Sequence, residues 1–425
     1  MKKNSDMDGL YIYSFFHMKI GSTSFGDGMS DKELSFFIHE YIHFLQNITT
    51  ICGLERLNND FVVLCRKIDW IKEQDDINVF VPILDETLKE PTLSNKLLID
   101  LISGDTDFIG DFNFMSTEVF DITKIDNLRI VESVILNFKN GYGIEDNRLF
   151  GAREISESMA YLIEQHITKD YNSSPAYPYK TASMVVGYFC PELLKDYRNI
   201  LIICDKALMS SNPGAEFFHI AQWLGQIKYI PSSPEELFQF LVINWQFYDL
   251  GEKTSSMDYY LSRAEEVRNN LHVLLKDEFF NDYNKWVDQI IDFAIFLRKK
   301  EPMFWLKLVE HGYVKNNQVW KEIINNIGGP VIEIDEHIYY NINPICCNSS
   351  CILYFEVFYQ IYNLLNYGRT PCCLIPLCSN ENTTISVDSS CTICPWNHPD
   401  YNGKLCMFKG IWQHWGLNKY NILPR

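Results

Sequence analysis

Ser30-Asp31-Lys32-Glu33-Leu34-Ser35-Phe36-Phe37-Ile38-His39-Glu40-Tyr41-Ile42-His43-Phe44-Leu45-Gln46-Asn47-Ile48 is the stretch on which the reading of this chain turns. Ser30 followed by Glu33 is a capping-box pattern: the Ser hydroxyl accepts from the Glu amide while the Glu carboxylate reaches back to the Ser amide. Asp31 and Glu33 place negative charge in the first turn, where the helix dipole favours it. Leu34, Ile38, Tyr41, Leu45 and Ile48 recur at three- and four-residue steps, so residues 31–48 are predicted to form one helix with a single apolar stripe. Phe36, His39, Glu40, His43 and Asn47 fall on the other side.

On a helix, residues four apart share a face, so His39 and His43 can offer two imidazoles to one metal ion. Glu40, next in line, can take a proton from a water on that ion. An H-E-x-x-H pentad in a helical setting is the pattern of a zinc hydrolase. Catalytic zinc takes three protein ligands and leaves one position open. The longer motif that supplies its third ligand on the same strip would need Gly at 46 and His at 49, where this chain has Gln46 and Thr49. The third ligand is therefore expected from another helix.

The segment from Gly151 to His166 is the candidate. Ile155, Met159, Leu162 and Ile163 give it an apolar face, and Glu154, Glu157, Tyr161 and Glu164 follow one another along the other. Glu157-Ser-Met-Ala-Tyr-Leu-Ile-Glu164, taken with the pentad, resembles the gluzincin group of zinc metallopeptidases, which pair an H-E-x-x-H helix with a glutamate on a later helix. Ser158 stands where many of that group carry Gly. The resemblance covers these two helices and implies a zincin-like body, Glu157 as third ligand and Glu40 as general base. Glu154, one turn earlier, is the alternative ligand, and His166 lies at the end of the same helix and would face differently. The resemblance also implies that the strand predicted over Leu10 to Ile20 is the edge along which a peptide substrate extends. A Tyr or His should assist at the oxyanion; Tyr161 and His219 are on suitable helices, though both read more readily as structural.

The chain has 425 residues, 47% hydrophobic and 14% aromatic, which supports a well-filled core and two or three domains. The net charge of −18 argues against non-specific binding to nucleic acid or anionic membrane. Met1 to Gly9 carries two lysines but no apolar segment behind them, and no run long enough to span a bilayer follows. A cytoplasmic setting is expected, in which the 13 cysteines stay thiols or bind metal.

Residues 1–170 are expected to form the catalytic core, 171–340 a mainly helical domain, and 341–425 a small cysteine-rich module. Ile130 to Phe138 and Val331 to Tyr340 read as strands, and Ser233-Pro234 as a helix start. Nine cysteines fall after residue 345: Cys346, Cys347, Cys351, Cys372, Cys373, Cys378, Cys391, Cys394 and Cys406. Cys391-Thr-Ile-Cys394 is a metal knuckle, and Cys378 and Cys406 flank it, with Cys373 a substitute for Cys378. Four such thiolates suit a structural zinc or an iron–sulfur cluster. Cys346, Cys347 and Cys351 read instead as small buried hydrophobes.

The fold class expected is α+β, predominantly helical. The function expected is a zinc-dependent hydrolase cleaving a peptide or protein substrate, with His39, His43 and Glu157 as ligands. Two alternatives stay open. One is a non-catalytic, metal-stabilised regulatory protein whose cysteine-rich tail binds a partner; the other is a hydrolase of a non-peptide amide or ester.

Overall fold

The apolar run from Leu10 to Ile20 folds as a hairpin and not as one strand. A computed structural model of the chain describes residues 9–22, 25–105, 109–111, 113–124, 130–139, 143, 145–168, 174–249, 252–335, 337–340, 349–379, 386–399 and 406–425. Strands β1 (Gly9–Ile12) and β2 (His17–Ile20) pair antiparallel, Gly9 opposite Ile20 and Ile12 opposite His17. Ser14 and Phe16 turn the chain between them with φ of 69° and 51°. No Gly, Pro or Asn marks this turn. The next helix pins it instead: the side-chain Oδ1 of Asn47 accepts from the Ser14 amide and the Tyr11 hydroxyl, both at 3.1 Å.

Helix α1 (Asp31–Thr49) starts at Ser30, and both bonds of the capping box are formed. The stripe Ile38, Tyr41, Leu45 and Ile48 is fully buried, each side chain contributing about 1.5–3 kcal/mol of transfer free energy. Thr50 breaks the helix in extended conformation and at once caps α2 (Ile51–Lys72) by accepting from the Gly53 amide at 3.0 Å. Gly53 passes so close to the end of α1 that a Cβ would lie 2.4 Å from the Asn47 carbonyl oxygen.

After α2 come β3 (Asn78–Val81) and α3 (Thr92–Ile102), then an antiparallel meander of β4 (Asn113–Lys124), β5 (Ile130–Lys139) and β6 (Glu145–Phe150). β6 leads straight into α4 (Ala152–Ile167). Then follow α5 (Thr181–Phe189), α6 (Tyr197–Leu208), α7 (Pro213–Gln226), α8 (Pro234–Asn244) and a hairpin of β7 (Phe247–Asp249) and β8 (Glu252–Thr254). A second helical stretch holds α9 (Ser256–Leu274), α10 (Asn281–Lys300), α11 (Phe304–Glu310) and α12 (Gln318–Ile327). The strand expected over Val331 to Tyr340 is again a hairpin, β9 (Val331–Ile334) and β10 (His337–Tyr339), with Asp335 at φ 47° in the turn. The chain ends with α13 (Leu353–Tyr367), two short turns α14 (Ile375–Cys378) and α15 (Ser390–Ile393), α16 (Met407–His414) and β11 (Asn421–Pro424).

The two hairpins join through parallel pairing of β2 with β9 into a four-stranded sheet of order β1-β2-β9-β10, which leaves β1 at its edge. β11 pairs parallel with β3, tying the last residues to the first third of the chain. Helix makes up 64% and strand 12%, so the expected predominantly helical α+β class holds. α1 lies in the middle, packed against α2, α4, α10 and β1. The guanidinium of buried Arg298 on α10 donates to the carboxylate of Asp205 on α6 at 2.8 and 2.9 Å and to the Thr49 carbonyl at the end of α1. No helix among the described residues is long and apolar enough to cross a membrane. Residues 1–8 and Cys346 and Cys347 lie outside the described residues.

Candidate metal centre

α1 and α4 pack antiparallel, and their contacts step down by one turn at a time. Ser35 and His39 meet Glu164, His39 and His43 meet Glu157, and Gln46 meets the Ser156 carbonyl. Nε2 of His39 lies 3.0 Å from Glu157 Oε2, and Nε2 of His43 lies 3.5 Å from the same oxygen. The three donor atoms are within 4.8 Å of one another.

The tautomers follow from the neighbours. Gln46 donates its amide to the Ser156 carbonyl, so its Oε1 faces His43 Nδ1 at 2.8 Å and Nδ1 must carry the hydrogen. Tyr13 Oη stands 2.9 Å from the same nitrogen. For His39, Nδ1 donates to Glu164 Oε2 at 2.9 Å, and Glu164 also accepts from the Ser35 hydroxyl. Both Nε2 atoms are thus turned toward Glu157, the arrangement in which outer carboxylates and amides orient metal-binding imidazoles.

Charge in the site is set by burial and by these contacts. Burial disfavours the charged form of His39, but its hydrogen bonds to Glu157 and Glu164 outweigh this and hold its pKa well above 6.5. Burial would raise Glu157 as well, yet His43 and His39 keep its carboxyl well below the usual carboxylate range. The space between Nε2 and Oε2 therefore favours a positive charge. A proton there is the simplest occupant, and a divalent cation fits the same two-imidazole, one-carboxylate donor set. Glu40 sits beside the trio, and burial, partly offset by His39 and His43, pushes its carboxyl up to about 7. The strand β1 crosses directly over it: a Cβ on Gly9 would lie 2.5 Å from Glu40 Oε1.

These groups line a cleft of about 340 Å3 that also receives Tyr11, Tyr13, Arg56 and Tyr179. Tyr179 is the residue that sequence reasoning missed. Its ring meets His39 edge-on, centroids 5.8 Å apart, and burial together with Glu157 and Glu40 raises its phenol above its ordinary pKa. Among the described residues its hydroxyl has no hydrogen-bond partner. Ser158 accounts for its position. The Ser158 hydroxyl donates to the Pro178 carbonyl at 2.9 Å and accepts from the Ala182 amide at 3.1 Å, fastening the turn that carries Tyr179.

The other candidates lie elsewhere. Glu154 is fully buried and turned inward, accepting from the Gly151 amide and the Tyr177 hydroxyl, with burial pushing its pKa up to about 8. It caps its own helix. His166 stacks on Tyr197, and His219 pairs with Glu132 at 2.9 Å. Tyr161 packs on Tyr179 from outside the cleft. A larger cavity of about 830 Å3 between α6, α8 and α9 brings no metal-ligand trio together among the described residues.

In the tail, Cys378, Cys391 and Cys406 line one small cavity, and Cys372 completes the set in place of Cys394. α15 ends at Ile393, and Cys394 leaves it with φ −152° and ψ 70°, so the two cysteines of the knuckle do not share a helical face. Cys373 is half-buried and lies outside this cavity, its thiol donating to the Glu356 carbonyl at 3.2 Å. Cys351 is buried at the start of α13, as a small hydrophobe would be. No family model, curated protein or solved structure matches this chain.

Proposed function

We propose that the chain is a metal-dependent hydrolase of amide bonds, with a peptide as its substrate class and a zincin-like arrangement of edge strand, pentad helix and glutamate helix. The observation that carries this reading is the meeting of His39 Nε2, His43 Nε2 and Glu157 Oε2 in an open cleft with Glu40 alongside. The donor set fits zinc, which when bound would polarise a substrate carbonyl and acidify a water.

The chain's own groups would do the rest. Glu40, buried and unpaired with Lys or Arg among the described residues, can accept the proton of the attacking water and return it to the leaving amine. Tyr179 can donate its hydroxyl to the oxygen on which negative charge develops. β1 at the sheet edge offers main-chain groups along which an extended peptide can add as a strand. Arg56, held over the Tyr13 ring at 4.5 Å, adds a positive charge to the cleft wall. A cytoplasmic setting suits a cysteine complement that forms no disulfide among the described residues.

The test is Glu40→Gln against wild type, both loaded with zinc and presented with a quenched-fluorescence peptide library. The proposal expects cleavage by wild type and none by the variant, with equal zinc content. Equal cleavage by both, or zinc-loaded wild type that cleaves no amide, refutes it; the latter outcome favours a metal-stabilised binding protein.

A further inference from the structure

The segment after α13 is folded back on itself by two bonds to α15: the Cys372 amide donates to the Cys391 carbonyl at 2.8 Å, and Thr370 Oγ1 to the Thr392 carbonyl at 3.0 Å. This brings Cys372, three residues before α14, and Cys378, at its end, against Cys391, while Cys406 arrives at the start of α16. The four sulfurs line a cavity of about 100 Å3 with Leu374, Ile375, Leu377, Pro395, Met407 and His398.

Three observations bear on what fills it. First, main-chain amides are aimed at the sulfurs: that of Leu374 at Cys372, and those of Phe408 and Lys409 at Cys406. Hydrogen bonds of this kind to the sulfurs accompany cysteine-ligated clusters. Second, a single zinc holds its sulfurs about 2.3 Å away and so about 3.8 Å from each other. Among the described residues no three of these sulfurs approach within 4.8 Å of one another. Third, the void between them has room for more than one ion, and a cluster that spreads its four thiolates over several irons needs that space. The neighbouring Asp388, Cys391 and His398 do come within 4.8 Å, but the ring nitrogens of His398 lie 2.7 and 2.8 Å from the Pro399 and Ser386 carbonyl oxygens, which occupy the approach to both.

We propose that Cys372, Cys378, Cys391 and Cys406 bind an iron–sulfur cluster, which clasps the last two helical turns and α16 together. This site is independent of the hydrolase reading. The experiment is anaerobic purification of the full chain, followed by reconstitution with ferrous iron and sulfide, with iron, acid-labile sulfide and zinc measured on wild type, Cys372→Ser, Cys378→Ser and Cys394→Ser. Wild type should carry iron and sulfide in equal amounts, with the broad visible absorption of iron bound to sulfur. Cys394→Ser should keep both, and Cys372→Ser and Cys378→Ser should lose them while far-UV circular dichroism stays helical. Zinc without labile sulfide in reconstituted wild type overturns the proposal. So does loss of iron from Cys394→Ser with full retention in Cys372→Ser. Should both single variants misfold, the wild-type metal and sulfide content decides alone.

Discussion

Glu164 is the residue through which the metal centre can be perturbed without touching a ligand. Its Oε2 accepts from His39 Nδ1 at 2.9 Å, and its side chain is only 10% exposed. Glu164→Ala leaves that N–H buried without its acceptor and lets the ring rotate. Loss of such an orienting partner typically costs 10–100-fold in metal affinity, which corresponds to about 1.4–2.7 kcal/mol. Burial places the expected loss toward the upper end. Glu164→Gln keeps an acceptor and loses only the charge, so its deficit should be about tenfold or less. Competition for zinc against a chromophoric chelator reads both values directly, with Glu157→Ala as the ligand-loss control. If Glu164→Ala holds zinc as tightly as wild type while Glu157→Ala does not, the account of how His39 is oriented is wrong.

Other consequences can be checked independently. Tyr179→Phe should lower kcat by about 10²–10³-fold with unchanged zinc content; steady-state cleavage rates alongside metal analysis decide it. Asp205→Ala strands the Arg298 guanidinium in the interior, at a cost of about 3–5 kcal/mol. Over 425 residues this is a drop in Tm of about 3–6 °C by calorimetry, and the double variant Asp205→Leu/Arg298→Leu should recover much of it. His17 is buried, which disfavours its charge, but Glu356 and Glu333 outweigh this and raise its pKa to about 10. A group raised in the folded state stabilises fully below its unfolded pKa of about 6.5, and that stability fades as pH rises toward 10. Urea midpoints should therefore show wild type losing up to about 1.4 kcal/mol per pH unit more than His17→Gln within that window.

The site's frame was legible where local chemistry specifies it. The capping box at Ser30, the apolar period of α1 and the spacing of His39 and His43 are all short-range signals, and α4 showed its acidic face in the same way. What the sequence hid was long-range. Glu164 stood on that face beside Glu157, but only antiparallel packing of α4 on α1 sets the two glutamates on opposite sides of the His39 ring. Tyr179 comes from a turn fastened by Ser158, which sits beside Glu157 in the glutamate-helix motif but bonds to residues about twenty positions further on. The two misread strands fail for one shared reason: neither turn contains Gly, Pro or Asn, and a lone Ser14 or Asp335 is weak punctuation within an otherwise strand-like run. Asn47, placed on the polar strip with the histidines, is spent on holding the first of those turns. In the tail, Cys391 lines a cavity with Cys372, Cys378 and Cys406, while the chain leaves α15 at Ile393 just before Cys394, a turn that cysteine spacing alone does not register.

The central claim is tested most directly by a crystal of the zinc-loaded protein and its anomalous difference map at the zinc edge. The account predicts a peak bonded at about 2.0–2.2 Å to His39 Nε2, His43 Nε2 and a Glu157 oxygen. A fully loaded crystal with no peak between α1 and α4 would contradict it.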